Sequence, residues 1–152
     1  MGASTGSSKL IRKSLLVLDT DHFSELERNL APGQRLASRL RASALEKALT
    51  VVTVEEEMRG WLAQIARQRH LQRQIAPYAK LQRQIETFAN WLVLPWDMDS
   101  AQLFTRLRGE GVRIGSLDLK IACIALAHDA SLLTRNTKDF AKVPGVRFEN
   151  WL

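Results

Sequence analysis

"SLLVLDTDHFSEL", residues 14–26, sets four aliphatic residues, Leu15 to Leu18, directly before Asp19, Asp21 and Glu25. An unbroken apolar run of this length reads as a strand buried on both faces, the kind that fills a parallel sheet. A buried strand gains nothing from charge at its tip. The acids therefore have one of two uses. Asp and Thr satisfy free backbone N–H groups where a strand turns into a helix. Alternatively, a carboxylate at the carboxyl end of a parallel strand stands where open α/β sheets bind ligands.

Working outward, "TDHFSELERNL" reads as a short helix, broken at Pro32 and Gly33. A second helix is expected over 34–49, with Leu36, Leu40 and Leu45 on one face. "LTVVTV", 49–54, is dense in β-branched residues and predicts a second buried strand. The three acids of "EEEMRGWLAQIARQR" then fall in the first turn of a helix, where its dipole favours them. Residues 71–92 continue as a long helix or helical pair bent near Pro77, with "LQRQI" repeated as a local echo. "LVLPW" is a third strand. "MDSAQLFTRLRGEG" is an amphipathic helix opened by Asp99 or Ser100 and stopped by Gly109 or Gly111. "LDLKIACIALAHD" is apolar nearly all round and predicts a buried helix. "ASLLTRN" and "VRFENWL" supply the last two strands. Strands alternating with helices predict an α/β fold of three layers, with a central, mostly parallel sheet of four to five strands flanked by helices.

Composition bounds the function. The 152 residues suit one domain over 14–152, with the small polar stretch 1–13 expected to be a disordered arm or an expression remnant. The 22 Lys and Arg against 16 Asp and Glu give a net charge of +6, which suits a polyanionic partner. A single cysteine, Cys123, excludes an intrachain disulfide and argues against thiolate zinc sites. His22, His70 and His128 stand far apart, so any metal ligands should be oxygens. No apolar run approaches the roughly 18 residues of a membrane span, and a cytoplasmic location is the expectation.

A parallel sheet brings the ends of remote segments to one edge. Asp19 and Asp21 follow strand 1, Glu55, Glu56 and Glu57 follow strand 2, Asp118 opens the buried helix, and Asn136 and Asp139 follow strand 4. Each acid has a local excuse as a cap or dipole partner, yet one shared purpose is more economical than four excuses. Converging carboxylates repel one another unless a cation sits among them. Oxygen-only ligands suit Mg²⁺ or Mn²⁺, which promote phosphodiester hydrolysis. The basic surplus would hold the phosphate backbone.

"LLVLDTDHFSEL", "TVVTVEEEMRGW", "LDLKIACIALAHDASLLTRNTKDF" and "GVRFENW" resemble PIN-domain ribonucleases, in particular the VapC-type toxins of bacterial toxin–antitoxin pairs. The resemblance spans 14–152, and its most specific part is 118–140. It implies a PIN-like domain in which Asp19, Glu56, Asp118 and Asp139 are catalytic and hold one or two Mg²⁺ or Mn²⁺ ions. Asn136 would assist as a polar helper, and Thr134 would hydrogen-bond and orient Asp19. Asp21 stands where the family has Asn, which leaves open whether it joins the metal shell. The resemblance further implies endoribonuclease activity on tRNA or other single-stranded or structured RNA. A homodimer is implied too, with a small antitoxin whose wrapping a groove between the 22–49 helices and the 55–70 helix would accommodate.

Arg135 and Lys138 flank the fourth acid position and are the best phosphate-contact candidates, followed by Lys120, Arg59 and Arg113. Trp61, Trp91, Trp96 and Trp151 read as packing anchors. Two other activities compete within the family: RNA processing or decay outside a toxin pair, and RNA binding without catalysis. "LLVLDTD" also resembles the start of haloacid-dehalogenase-type phosphatases, with Asp19 as nucleophile and Asp21 as general acid. That family needs Thr or Gly after Asp21 and a later paired-Asp motif, and His22 and the lone Asp118 supply neither.

Overall fold

The structure, a computed structural model, describes residues 15–152. The expectation for 1–13 lies outside the described residues. Five strands form one all-parallel sheet: β1 (Leu15–Leu18), β2 (Glu46–Thr50), β3 (Leu92–Leu94), β4 (Ser131–Leu133) and β5 (Arg147–Glu149), in the order β3-β2-β1-β4-β5. β1 lies in the middle, flanked by β2 and β4, so its carboxyl end meets theirs.

The alternation of side chains along a strand sorts the core into two layers. Leu16 and Leu18 of β1 join Leu49 and Leu133 on one face, packed under helices α1 (Thr20–Arg28) and α2 (Ala31–Ala42). Val17 joins Ala48, Leu94 and Leu132 on the other face, against α5 (Met98–Gly109) and α6 (Ser116–Ala127). In α6, the run from Ile121 to Ala125 is fully buried, as its all-round apolar sequence predicts. The three-layer α/β expectation holds. Among the described residues no helix is long and apolar enough to cross a membrane.

Several boundaries move. Pro32 and Gly33 do not break a helix. They sit in the first turn of α2, where a proline loses no hydrogen bond. A Cβ at Gly33 would lie 2.1 Å from the Glu25 carbonyl oxygen, so only glycine lets α2 fold this closely beneath α1. The helix expected over 34–49 ends at Ala42, which leaves Leu45 in the connection and Leu49 in β2.

The strand expected over 49–54 stops at Thr50, and Val51 to Val54 open α3 (Val51–Arg67). Burial of Val52 and capping by Thr50, whose hydroxyl accepts the Thr53 N–H at 3.2 Å, outweigh the strand preference of β-branched residues. Glu55 to Glu57 consequently stand in the second turn of α3 rather than in the first turn expected, and they do not serve as partners of the helix dipole. The first "LQRQI" begins as a 3-10 turn (Leu71–Gln74), and Pro77 belongs to the first turn of α4 (Ile75–Ala89), where it causes no bend. Asp97, rather than Asp99 or Ser100, caps α5, taking the Ser100 N–H at 3.0 Å and its hydroxyl at 2.9 Å. Gly115 precedes α6, and Asp118 is that helix's third residue. Asp139 lies on a one-turn helix, α7 (Thr137–Phe140).

Candidate active site at the carboxyl edge of the sheet

Asp19 leaves β1 and caps α1, accepting the Thr20 N–H at 2.8 Å. Its other oxygen accepts the Thr134 hydroxyl at 2.7 Å. Thr134 follows β4 and is fully buried, so neighbouring strand ends fix this carboxylate from two sides. Asp19 is 5 % exposed. Burial, then the charge of Asp21 and more weakly that of Asp118, push its carboxyl up to about 7, against the two hydrogen bonds.

Glu56 reaches the same edge from α3. It accepts the Thr20 hydroxyl at 2.9 Å, and Thr20 in turn lies 3.1 Å from the Thr53 hydroxyl. Burial raises the Glu56 carboxyl; the Thr20 bond opposes this, and the charges of Asp118, Glu57 and Glu55 add to it. Its neighbours are engaged elsewhere. Glu55 pairs with Arg59 at 2.7 Å, and Glu57 accepts the Ser24 hydroxyl at 3.0 Å.

Asp118 faces the edge from the first turn of α6. Burial and the charge of Asp139 raise its carboxyl, while the Asn136 amide bond lowers it and Asp21 raises it further. That amide donates to Asp118 at 3.1 Å and to Asp139 at 3.0 Å, and so bridges the two acids. Asp139 differs in being held below the usual carboxylate range, first by the Asn136 bond and, against some burial, by Lys142 and Lys138.

Asp21 borders these acids, close enough for its charge to raise Asp19 and Asp118, but its own bonds run to other partners. Its Oδ2 accepts the Arg135 N–H at 2.9 Å, with the Thr134 hydroxyl at 3.4 Å, and its Oδ1 lies 2.6 Å from His22 Nδ1. Burial raises the Asp21 carboxyl, but the bonds from His22 and Arg135 outweigh it and leave the group below its ordinary value. Glu25, the third acid of the opening stretch, is buried and taken up by Arg28 at 2.8 Å and Arg135 at 3.5 Å.

Asp19, Glu56, Asp118 and Asp139 thus stand along one edge as a chain of charge-coupled carboxylates. Among the described residues, no three Asp, Glu, His or Cys side chains are drawn in tightly enough to hold a metal ion as they stand. The donor chemistry nevertheless fits a hard divalent cation. The ligands are oxygens only, three of the four are raised by burial and by one another, and a positive charge would relieve all three.

The basic candidates divide. Arg135 and Lys138 flank the edge, and Lys138 is exposed. Arg59 is occupied by Glu55, the Arg113 guanidinium donates to the Arg108 and Val112 carbonyls, and Lys120 lies 5.6 Å from the Trp96 ring. Three of the four tryptophans pack as anchors, Trp91 against Phe23, Trp96 against Phe104 and Trp151 beneath Arg39, whereas Trp61 lines a groove with Lys80 over its ring. Two residues of the site escape the sequence reading. Thr20 could have been found in "LDT", because a hydroxyl at a strand–helix junction commonly takes a partner. Nothing in the sequence signals that His22 is fully buried.

A groove of about 520 Å³ runs beside the edge between α1, α3 and α4, lined by Glu27, Glu57, Trp61, Lys80, Arg83 and Gln84 among others. It was expected between the 22–49 helices and the 55–70 helix; α4 supplies its second wall. Trp61 Nε1 and Gln84 Nε2 are buried in it without a hydrogen-bond partner. A smaller pocket of about 270 Å³ shares Glu57 and Trp61 with the groove and contains Thr20 and Glu56, so the groove is continuous with the acid edge.

No protein-family model matches the chain. In local sequence it is similar to ribonuclease VapC2 of Rickettsia felis, at 44 % identity over 50 residues, which is 33 % of this chain and 37 % of that protein. The chain spans about a third of the length of the curated relatives it matches. In structure it is similar to a chain of VapBC-1 from nontypeable Haemophilus influenzae. That match has 24 % identity and a TM-score of 0.70, and covers 90 % of this chain and 98 % of that one. It is also similar to a chain of VapBC2 from Rickettsia felis, bound there to a DNA fragment from the promoter. Here identity is 22 % and the TM-score 0.69, over 91 % and 99 % of the respective chains. The five-stranded parallel sheet flanked by helices is the fold of the VapC-type PIN proteins.

Proposed function

We propose that this protein is a divalent-metal-dependent endoribonuclease and the toxin of a toxin–antitoxin pair. The observation that carries the reading is the convergence of Asp19, Glu56 and Asp118, brought from β1, α3 and α6 to one edge and each raised by burial and mutual repulsion. The local likeness to ribonuclease VapC2 supports the same activity. Asp19, Glu56, Asp118 and Asp139 would hold one or two Mg²⁺ or Mn²⁺ ions, which supply electrostatic stabilisation to a phosphodiester undergoing displacement by water. Around them, Thr134 orients Asp19, Thr20 orients Glu56, and the Asn136 amide bridges Asp118 and Asp139. Arg135 and Lys138 take the RNA phosphates flanking the cut.

The antitoxin occupies the groove between α1, α3 and α4. Two buried N–H donors without acceptors suit a peptide that brings carbonyl or carboxylate oxygens to Trp61 and Gln84. A peptide seated there lies beside Glu56 and obstructs the acid edge. The same reading has the chain acting in the cytoplasm as a homodimer.

The test is cleavage of a total tRNA pool by wild type and Asp118→Asn, with Mn²⁺ or Mg²⁺ and then with EDTA. Discrete fragments from wild type with metal alone are expected. Equal cutting by both proteins, or RNA binding without any cutting, overturns the enzymatic reading, and the second outcome favours a non-catalytic RNA-binding domain.

A further inference from the structure

The acid edge has a support that no motif announces. His22, in the first turn of α1, is fully buried, and both of its ring nitrogens are used. Nε2 lies 3.1 Å from the backbone nitrogen of Trp151. A backbone N–H can only donate, so Nε2 carries the lone pair and the ring proton sits on Nδ1. Nδ1–H therefore donates to Asp21 Oδ1 at 2.6 Å. Asp21 Oδ2 is committed in turn to the Arg135 N–H at 2.9 Å, immediately beyond Thr134, which holds Asp19.

The far end of this chain of bonds is also anchored. The Trp151 ring packs 4.1 Å beneath the Arg39 guanidinium of α2, and its Nε1–H donates to Glu149 at 2.6 Å. One buried imidazole thus joins the segment following β5 to the point where β1 and β4 end.

We infer that His22 is a positioning residue of the acid edge, whose Nδ1–H fixes the Asp21 carboxylate in the one orientation that takes the Arg135 N–H beside Thr134. The inference rests on the function proposed above for its catalytic consequence, but its geometry is independent of that function. Without the imidazole donor, Asp21 Oδ1 loses its partner and the carboxylate is free to rotate off the Arg135 N–H. Arg135, a candidate phosphate contact, then loses the acceptor that fixes its backbone.

Two substitutions separate the halves of the link. The amide nitrogen of Asn falls near the Nδ1 position, so His22→Asn retains the donor to Asp21. The amide of Gln falls near Nε2, so His22→Gln retains an acceptor for Trp151 and loses the donor. The expected result is that His22→Asn keeps the Arg135 amide protected from hydrogen exchange and keeps kcat for RNA cleavage within about threefold of wild type. His22→Gln is expected to speed exchange at Arg135 and to lower kcat, each by about tenfold, with KM unchanged. Equal behaviour of the two variants in both readouts reduces His22 to a packing residue and overturns the inference. ¹⁵N spectra of the wild-type imidazole need no variant: a proton on Nδ1 is expected, and one on Nε2 overturns the inference. If wild type cuts no RNA, the nuclease reading fails while exchange at Arg135 and the imidazole spectra still decide the role of His22.

Discussion

The acid edge and the groove beside it are incomplete in opposite senses. At the edge, carboxylates from four separate elements have more acceptors than donors, and burial with mutual repulsion raises three of them. In the groove, Trp61 and Gln84 have donors and no acceptors. The edge is short of positive charge, which a small cation supplies. The groove leaves two buried N–H groups without acceptors, which a peptide carbonyl or carboxylate supplies. Two adjoining surfaces of one chain thus ask for ligands of different chemistry, and occupancy of one bears on access to the other.

The largest expected effect separates the edge from its surroundings. Asp118→Asn should reduce single-turnover RNA cleavage by about a thousandfold, since it removes a ligand and a charge from the reacting centre. Fragment yield over time on a defined RNA checks this.

Next in size is the pH dependence of the cation-free fold. Asp19 has a folded value of about 7 against 3.8 for the ordinary carboxyl. Between those values the folded state binds more protons than the unfolded state, so stability falls as pH rises from about 4 to 7 and is lowest above 7. The full span corresponds to roughly 4 kcal/mol at most. Urea melts in EDTA at pH 5 and pH 8 should show this fall, and Asp19→Asn should flatten it. Added Mn²⁺ should restore stability at pH 8 more than at pH 5, because it favours the ionised carboxylate.

In the groove the sign reverses with context. Gln84→Leu removes an unpartnered donor, so the free protein should melt at the same temperature or gain about 1 kcal/mol. RNA cleavage should be unchanged. A melt showing marked loss would mean that Gln84 has a partner in the free state and would break the contrast. The smallest effect is a control within α3: Glu55→Gln removes an exposed pair with Arg59 and should cost less than about 0.5 kcal/mol. Glu56→Gln, one residue along, should abolish cleavage.

The same contrast explains what the sequence made legible. The apolar run before Asp19 and the buried helix after Asp118 are long, one-purpose patterns, and both elements form where expected. From them follows the parallel sheet, and from the sheet the convergence of the acids. What was misread depends on packing between remote segments. The β-branched residues after Thr50 look like strand, yet Val52 is buried as part of a helix, which a propensity cannot report. Gly33 reads as a helix breaker until Glu25 of α1 is found directly above it. His22 and Asp21 are adjacent in sequence, but their meaning lies with Trp151 and Arg135, more than a hundred residues away. The groove's α4 wall is not legible in the sequence, because nothing in 65–92 marks the face that turns toward α1.

The most direct test of the central claim, that these carboxylates gather around a cation, is calorimetric titration of Mn²⁺ into wild type and Asp19→Asn at pH 8. Saturable binding by wild type, lost in the variant, is the result expected. Identical heats from the two proteins, or none from wild type, would contradict it.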